Sequence, residues 1–81
     1  MFIHTGFGNY VALDKILAVT CSDSAPVRRA VVDAADSGRL IDHTAGRRRR
    51  AVIALTTGHV VIAALEPETL VERAGRGRGD A

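Results

Sequence analysis

The segment AVIALTTGHVVIAAL, residues 51–65, is apolar at nearly every position outside its centre. Successive residues of a strand point to opposite faces, so a half-buried strand alternates apolar and polar side chains. Strands without that alternation need cover on both faces. The segment reads as two such strands around a turn at Thr57-Gly58-His59. A chain of 81 residues has little else with which to cover them. It buries only about 60–65% of its unfolded surface, and its one cysteine excludes an internal disulfide. That residue, Cys21, lies in the apolar run KILAVTCS and reads as a small core side chain.

The remaining elements follow from local signals. FIHTG and NYVALDKILAVTC are rich in β-branched residues and read as a short strand, a glycine turn and one or two further strands. SDSAPVRRAVVDAADSG is punctuated as a helix: Asp23 or Ser24 caps it, Pro26 suits its first turn and Gly38 suits the position past its end. Val27, Ala30, Val31, Ala34 and Ala35 share one face, which packs on a sheet. RLIDHTAG is a short extended segment or loop, EPETLVERA a short terminal helix with Pro67 in its first turn, and residues 75–81 a flexible Gly/Arg tail after a single domain of residues 1–74. The expected fold is α+β: a small, mainly antiparallel sheet with one long amphipathic helix and a short C-terminal one. One amphipathic helix cannot cover both faces of the sheet, so a second copy of the chain is expected to cover the other face, or an edge, making a homo-oligomer.

Net charge is only +2, but seven arginines fall between Arg28 and Arg50 against three aspartates. Arg28 and Arg29 stand near the positive end of the helix dipole, and Asp33 and Asp36 near the negative end. Each such placement costs about 0.3–1 kcal/mol when exposed. Two explanations fit: surface charges tied by an Arg29–Asp33 pair one turn apart, or a face on which Arg28 and Arg29 serve an anion or a neighbouring subunit. Arg47 to Arg50 directly precede the apolar strand. A guanidinium stays charged and grips phosphate with two prongs. In an extended chain Arg47 and Arg49 point one way and Arg48 and Arg50 the other. An assembly would repeat the same few arginines at fixed spacing.

Other chemistries find little support. TGFGN lacks the third glycine of a dinucleotide fingerprint, with Val11 in its place, and reads as a turn between strands. His4, His43 and His59 lack metal-site spacing, and Asp42 and His43, as strand neighbours, point apart. Ser22, Ser24 and Thr44 have no activating base nearby, so neither an enzyme nor a cofactor or small-molecule substrate is expected. No apolar run reaches the roughly 18 residues of a membrane span, and the expected location is the cytoplasm.

The ordered motifs GFGN (6–9), SAPVRR (24–29), GRLID (38–42), GRRRRAV (46–52), GHVVIAAL and PET (67–69) resemble the bacterial extracellular matrix regulatory protein A (RemA) family over about Phe2 to Arg73. The resemblance implies a small protein that assembles into rings and binds double-stranded DNA as a transcriptional regulator, on the nucleoid, with biofilm-matrix genes as the family's named targets. It also implies that Arg47 and Arg48 contact DNA, with a further basic position at Lys15. Arg49 stands where the family often has threonine, and Asp14 precedes Lys15 where a neutral residue is usual. The expected DNA-binding residues are therefore Arg47 and Arg48, then Arg50, Arg49 and Lys15. Arg28 and Arg29 are candidates for DNA or subunit contacts. The alternative is a scaffolding oligomer whose arginines meet Asp33, Asp36, Asp42, Glu66 and Glu68 of a neighbouring chain or protein partner. RNA binding has only Phe2, Phe7 and Tyr10 as stacking surfaces and no RNP motif.

Overall fold

A computed structural model describes residues 1–77. Strands β1 (Phe2–Gly6) and β2 (Asn9–Ala12) form a hairpin. A single 3-10 turn over Leu13–Lys15 leads into β3 (Ile16–Cys21). Helix α1 (Ala25–Asp36), β4 (Leu40–Asp42), β5 (Ala51–Leu55), β6 (Val60–Ala63) and α2 (Pro67–Gly77) follow. β3, β5, β6 and β4 lie in that order in one sheet, antiparallel except for the parallel pair β4–β6.

The apolar ladder of β5 and β6 sits at the centre of this sheet, where both edges of each strand are hydrogen-bonded. Ala51, Ile53, Val61 and Ala63 point to one face and are almost fully buried. With Val11 of the hairpin and Leu70 of α2 they form the main core, and Ile16, Val19, Leu55 and Leu65 pack around it. Val52 and Val60 point the other way, towards α1, whose Val31 and Ala34 are buried. The protein therefore covers both faces of the ladder with its own elements, the hairpin and α2 on one side and α1 on the other. A second copy is therefore not needed on either face; of the two places expected for it, the sheet edge at β3 is the one that the protomer leaves open. The cover on the α1 side is incomplete: an apolar groove of about 220 Å³ opens between Val27 and Ala30 of α1 and Thr20, Val52, Ala54 and Val60 of the sheet.

α1 starts as its sequence dictates. Ser24 is extended, its hydroxyl accepts from the Val27 amide at 3.4 Å, and Pro26 occupies the first turn. It ends where Gly38 takes a positive φ of 73°, the left-handed step that glycine makes at little cost. The two helices have twelve and eleven residues, so one is not markedly longer than the other. α2 runs through Gly77, past the expected boundary at residue 74; the remainder of the expected tail, 78–81, lies outside the described residues. Cys21 is exposed rather than buried. It is the last residue of β3, an edge strand with a register irregularity between Ile16 and Ala18, and it emerges where that strand leaves the core.

Candidate nucleic-acid interface

Antiparallel pairing places the end of β3 and the start of β5 side by side, with Cys21 opposite Ala51. The parallel β4–β6 pair brings the ends of those strands to the same rim. The chain must cross from β4 at the sheet edge, over the end of β6, to enter β5. The segment that makes this crossing contains Arg47 to Arg50.

Three contacts fix the crossing. The His43 amide donates to the Ile62 carbonyl at 2.9 Å, and the Arg50 amide to the Ala63 carbonyl at 2.8 Å. The Asp42 carboxylate accepts from the Thr44 amide at 2.8 Å and the Thr44 hydroxyl at 2.6 Å. These bonds to the charged form hold the Asp42 carboxyl below its ordinary value. The His43 ring, half-buried, lies with Nδ1 2.8 Å from the Thr5 hydroxyl, itself 3.2 Å from the Asn9 carbonyl. If Thr5 donates to Asn9, His43 carries its proton on Nδ1 and donates to Thr5. Burial pushes the His43 pKa below its ordinary value, against a smaller opposing pull from Asp42. The turn then closes through positive φ at Ala45 and Gly46, 53° and 79°, and the Arg47 amide donates to the Thr44 carbonyl at 3.0 Å.

The arginines are not equivalent. Arg50 pairs with Glu66 at 2.9 Å, both side chains about half exposed. Arg49 is half-buried; its carbonyl accepts from the Ser22 hydroxyl at 3.1 Å, and its Nε is buried without a hydrogen-bond partner. Arg47 and Arg48 are exposed, and neither forms an ion pair among the described residues. Arg48 and Arg50 share a cup from which Arg49 is absent, as alternation expects, but Arg47 joins them there because it closes the turn at 44–47. Arg48 borders three cups: one with Phe7, Arg47 and Arg50, a second with Ser22, Asp23, Arg28 and Arg49, and a third with Cys21, Ser22, Asp23, Arg49, Arg50 and Glu66.

Arg28 thus joins the run, because α1 starts beside the end of β3. The unfavourable placement of charge at the start of α1 concentrates cations at the same rim. Arg29 is exposed on the same helical turn and lines none of these cups. Lys15 is not brought together with the arginines within one protomer. Its carbonyl accepts from the Thr56 amide at 2.8 Å, past the far end of β5, and a five-residue strand spans about 17 Å. Among the described residues no group of three or more His, Cys, Asp or Glu could hold a metal, and no helix is long and apolar enough to cross a membrane.

Phe7 is the participant that sequence reasoning placed only in a turn or a stacking surface. The Arg47 Cζ lies 5.2 Å from the centre of its ring, within cation–π range. Phe7 and Gly8 link the hairpin strands with φ of 55° and 78°, the pattern of a type I′ turn that favours Asn or Gly. A bulky residue at such a φ is strained. The one available signal was an aromatic between two glycines, and its partner became visible only in three dimensions.

The fold and this rim define a small α+β protein with arginines concentrated at one end of its sheet. The family model for extracellular matrix regulatory protein A-like proteins (RemA-like) matches residues 2–74, and the chain belongs to that family. A protein of Synechococcus elongatus named as a regulatory protein is 47% identical over 78 residues, 96% of this chain and 90% of that one. Similarly named proteins of Carboxydothermus hydrogenoformans and a Geobacillus species are 46% and 44% identical over 72 residues, 89% of this chain and 83% of each.

Two outcomes follow from the geometry. An unfolded histidine titrates near 6.5, and folded His43 takes up its proton only at lower pH, so its contribution to stability is complete above that value. Denaturation midpoints should hold from about pH 8 to 7 and fall below about pH 6.5, by at most about 1.4 kcal/mol per pH unit for this group. His43→Gln should flatten the fall, and an equal fall in the variant would contradict the assignment. Phe7→Asn suits the turn but removes the ring. Stability should stay within about 1 kcal/mol of the parent, while NMR order parameters at the Arg47 side chain drop; unchanged ordering would show that Phe7 does not position Arg47.

Proposed function

We propose that the protein is a DNA-binding transcriptional regulator, not an enzyme, that assembles as a homo-oligomer and grips double-stranded DNA through a repeated arginine patch. The observation that carries this reading is the division among the arginines: Glu66 pairs with Arg50, while Arg47 and Arg48 stand exposed with no carboxylate partner among the described residues. Like charges so placed repel one another, and a polyanion relieves that repulsion. Each phosphate neutralised releases counterions and adds about 0.9 to the log–log salt slope. Among the described residues, no helix presents a row of amide and hydroxyl side chains to a groove. Recognition therefore runs through the phosphate backbone and DNA shape rather than base edges. The family membership and the regulatory names of the relatives support the regulatory role, and matrix genes are the targets that the family description suggests.

Assembly into a ring is part of the proposal. Its support is surface that a lone protomer leaves apolar: Leu17 on the β3 edge is 70% exposed and Val71 of α2 is 57% exposed. Both border a groove of about 410 Å³ between these elements, and an unpaired edge strand is itself a docking surface. Repetition around a ring would also bring Lys15 of one protomer within reach of DNA held by others. The scaffolding alternative is weakened because two of its acids are occupied within the chain, Glu66 by Arg50 and Asp42 by Thr44.

The test is an Arg47→Ala/Arg48→Ala double variant compared with the parent by light scattering and by titration against duplex DNA. The parent should be oligomeric at micromolar concentration. The variant should assemble alike and lose at least tenfold in affinity, with a shallower salt slope. Equal affinity and slope would refute the arginine assignment, and a monomeric parent would refute the assembly.

A further inference from the structure

The second cup at the rim holds a cluster that the arginine run alone does not explain. It measures about 320 Å³ and is lined by Ser22, Asp23, Arg28, Arg48 and Arg49. Arg28 belongs to α1, yet its guanidinium is turned towards the end of β3, where Nη2 donates to the Asp23 carbonyl at 3.0 Å. That bond leaves other N–H groups of the fork uncommitted, since a guanidinium carries five. Opposite it, the Ser22 hydroxyl anchors the Arg49 backbone, and the Arg49 Nε is buried without an acceptor. Arg48 closes the cup and also borders its neighbour with Arg47.

We propose that Arg28, Arg48 and Arg49 form a second phosphate seat, beside the one at Arg47 and Arg48, and that it takes a backbone phosphate of the same DNA. The inference rests on the DNA-binding reading above and extends it to a helix residue outside the arginine run. Three guanidinium groups against one carboxylate, Asp23, make the seat cationic. Sharing Arg48 makes the two seats continuous, which suits neighbouring phosphates of one polyanion better than isolated ions. Arg29 is the built-in comparison: it has the same charge on the same turn, about 100° around the helix, and lies outside the cup.

The experiment compares the full-length parent, Arg28→Gln and Arg29→Gln for binding to random-sequence duplex across a chloride series, with assembly checked by light scattering. Arg28→Gln should reduce the salt slope by about 0.9 for every protomer seated on the duplex and weaken binding roughly tenfold or more. Arg29→Gln should change the slope by less than half as much. Equal losses in the two variants would reduce Arg28 to one charge in a general field, and no loss in Arg28→Gln would show that the seat is empty of DNA; either overturns the proposal. Where Arg28→Gln does not assemble, Arg28→Lys decides: it keeps the charge, and weaker binding at an unchanged slope supports the two-pronged grip, while parental affinity overturns it. A parent that does not bind duplex refutes the DNA-binding reading itself, a different result from a parent that binds and an Arg28 variant that binds equally. A final arm replaces chloride by inorganic phosphate at constant ionic strength. Thermal protection of the parent but not of Arg28→Gln, with duplex binding equal in both, would assign the seat to free phosphate instead and overturn the proposal.

Discussion

Burial of the β5–β6 ladder governs everything else in this protein. Ala51, Ile53, Val61 and Ala63 are sealed on one face and Val52 lies beneath α1 on the other, so β5 can neither slide nor turn over without exposing one set. A one-residue slip would exchange the two faces. The register fixes Ala51 as the first buried residue, and the preceding arginine must lie at the rim, its amide bonded to the Ala63 carbonyl. The charged run is thus placed by the apolar strand that follows it. Its abrupt border with that strand is the edge of the core.

A second constraint comes from topology. β4 pairs in parallel with β6, so the connection to β5 must pass over the end of β6. That path brings four neighbouring arginines to the rim where α1 begins and Phe7 projects. The cost is visible locally, in the left-handed backbone at Phe7 and Ala45 and in the unpartnered Arg49 Nε. Strain of this kind persists only where surrounding packing enforces it. Arg47 and Arg48 stand exposed at this rim, and among the described residues only Arg50 of the run has its charge paired with a carboxylate.

Much of the fold was legible in the sequence because the signals were local. Ser24, Pro26 and Gly38 marked α1 to within a residue or two, and the turn at 57–59 separated β5 from β6. What escaped depended on contacts between residues far apart in the chain. Cys21 reads as core in an apolar run, but only the sheet order shows β3 to be an edge. Lys15 is six residues from Cys21, yet β3 carries the two to opposite ends of the sheet. Arg28 reads as a poorly placed helix charge until the end of β3 is found beside Arg48 and Arg49. The run itself was visible at once, while the division of roles within it needed Glu66, Ser22 and Phe7.

The central claim is that assembly multiplies a small arginine surface into a DNA grip, and the salt dependence of binding tests it most directly. One rim, with Arg28, Arg47, Arg48 and Arg49, can neutralise at most about four phosphates and so supply a log–log slope near −4. Measured on a duplex long enough for several protomers, the account predicts a slope clearly steeper than that. Salt-insensitive binding, or a slope within the reach of one protomer, would contradict it.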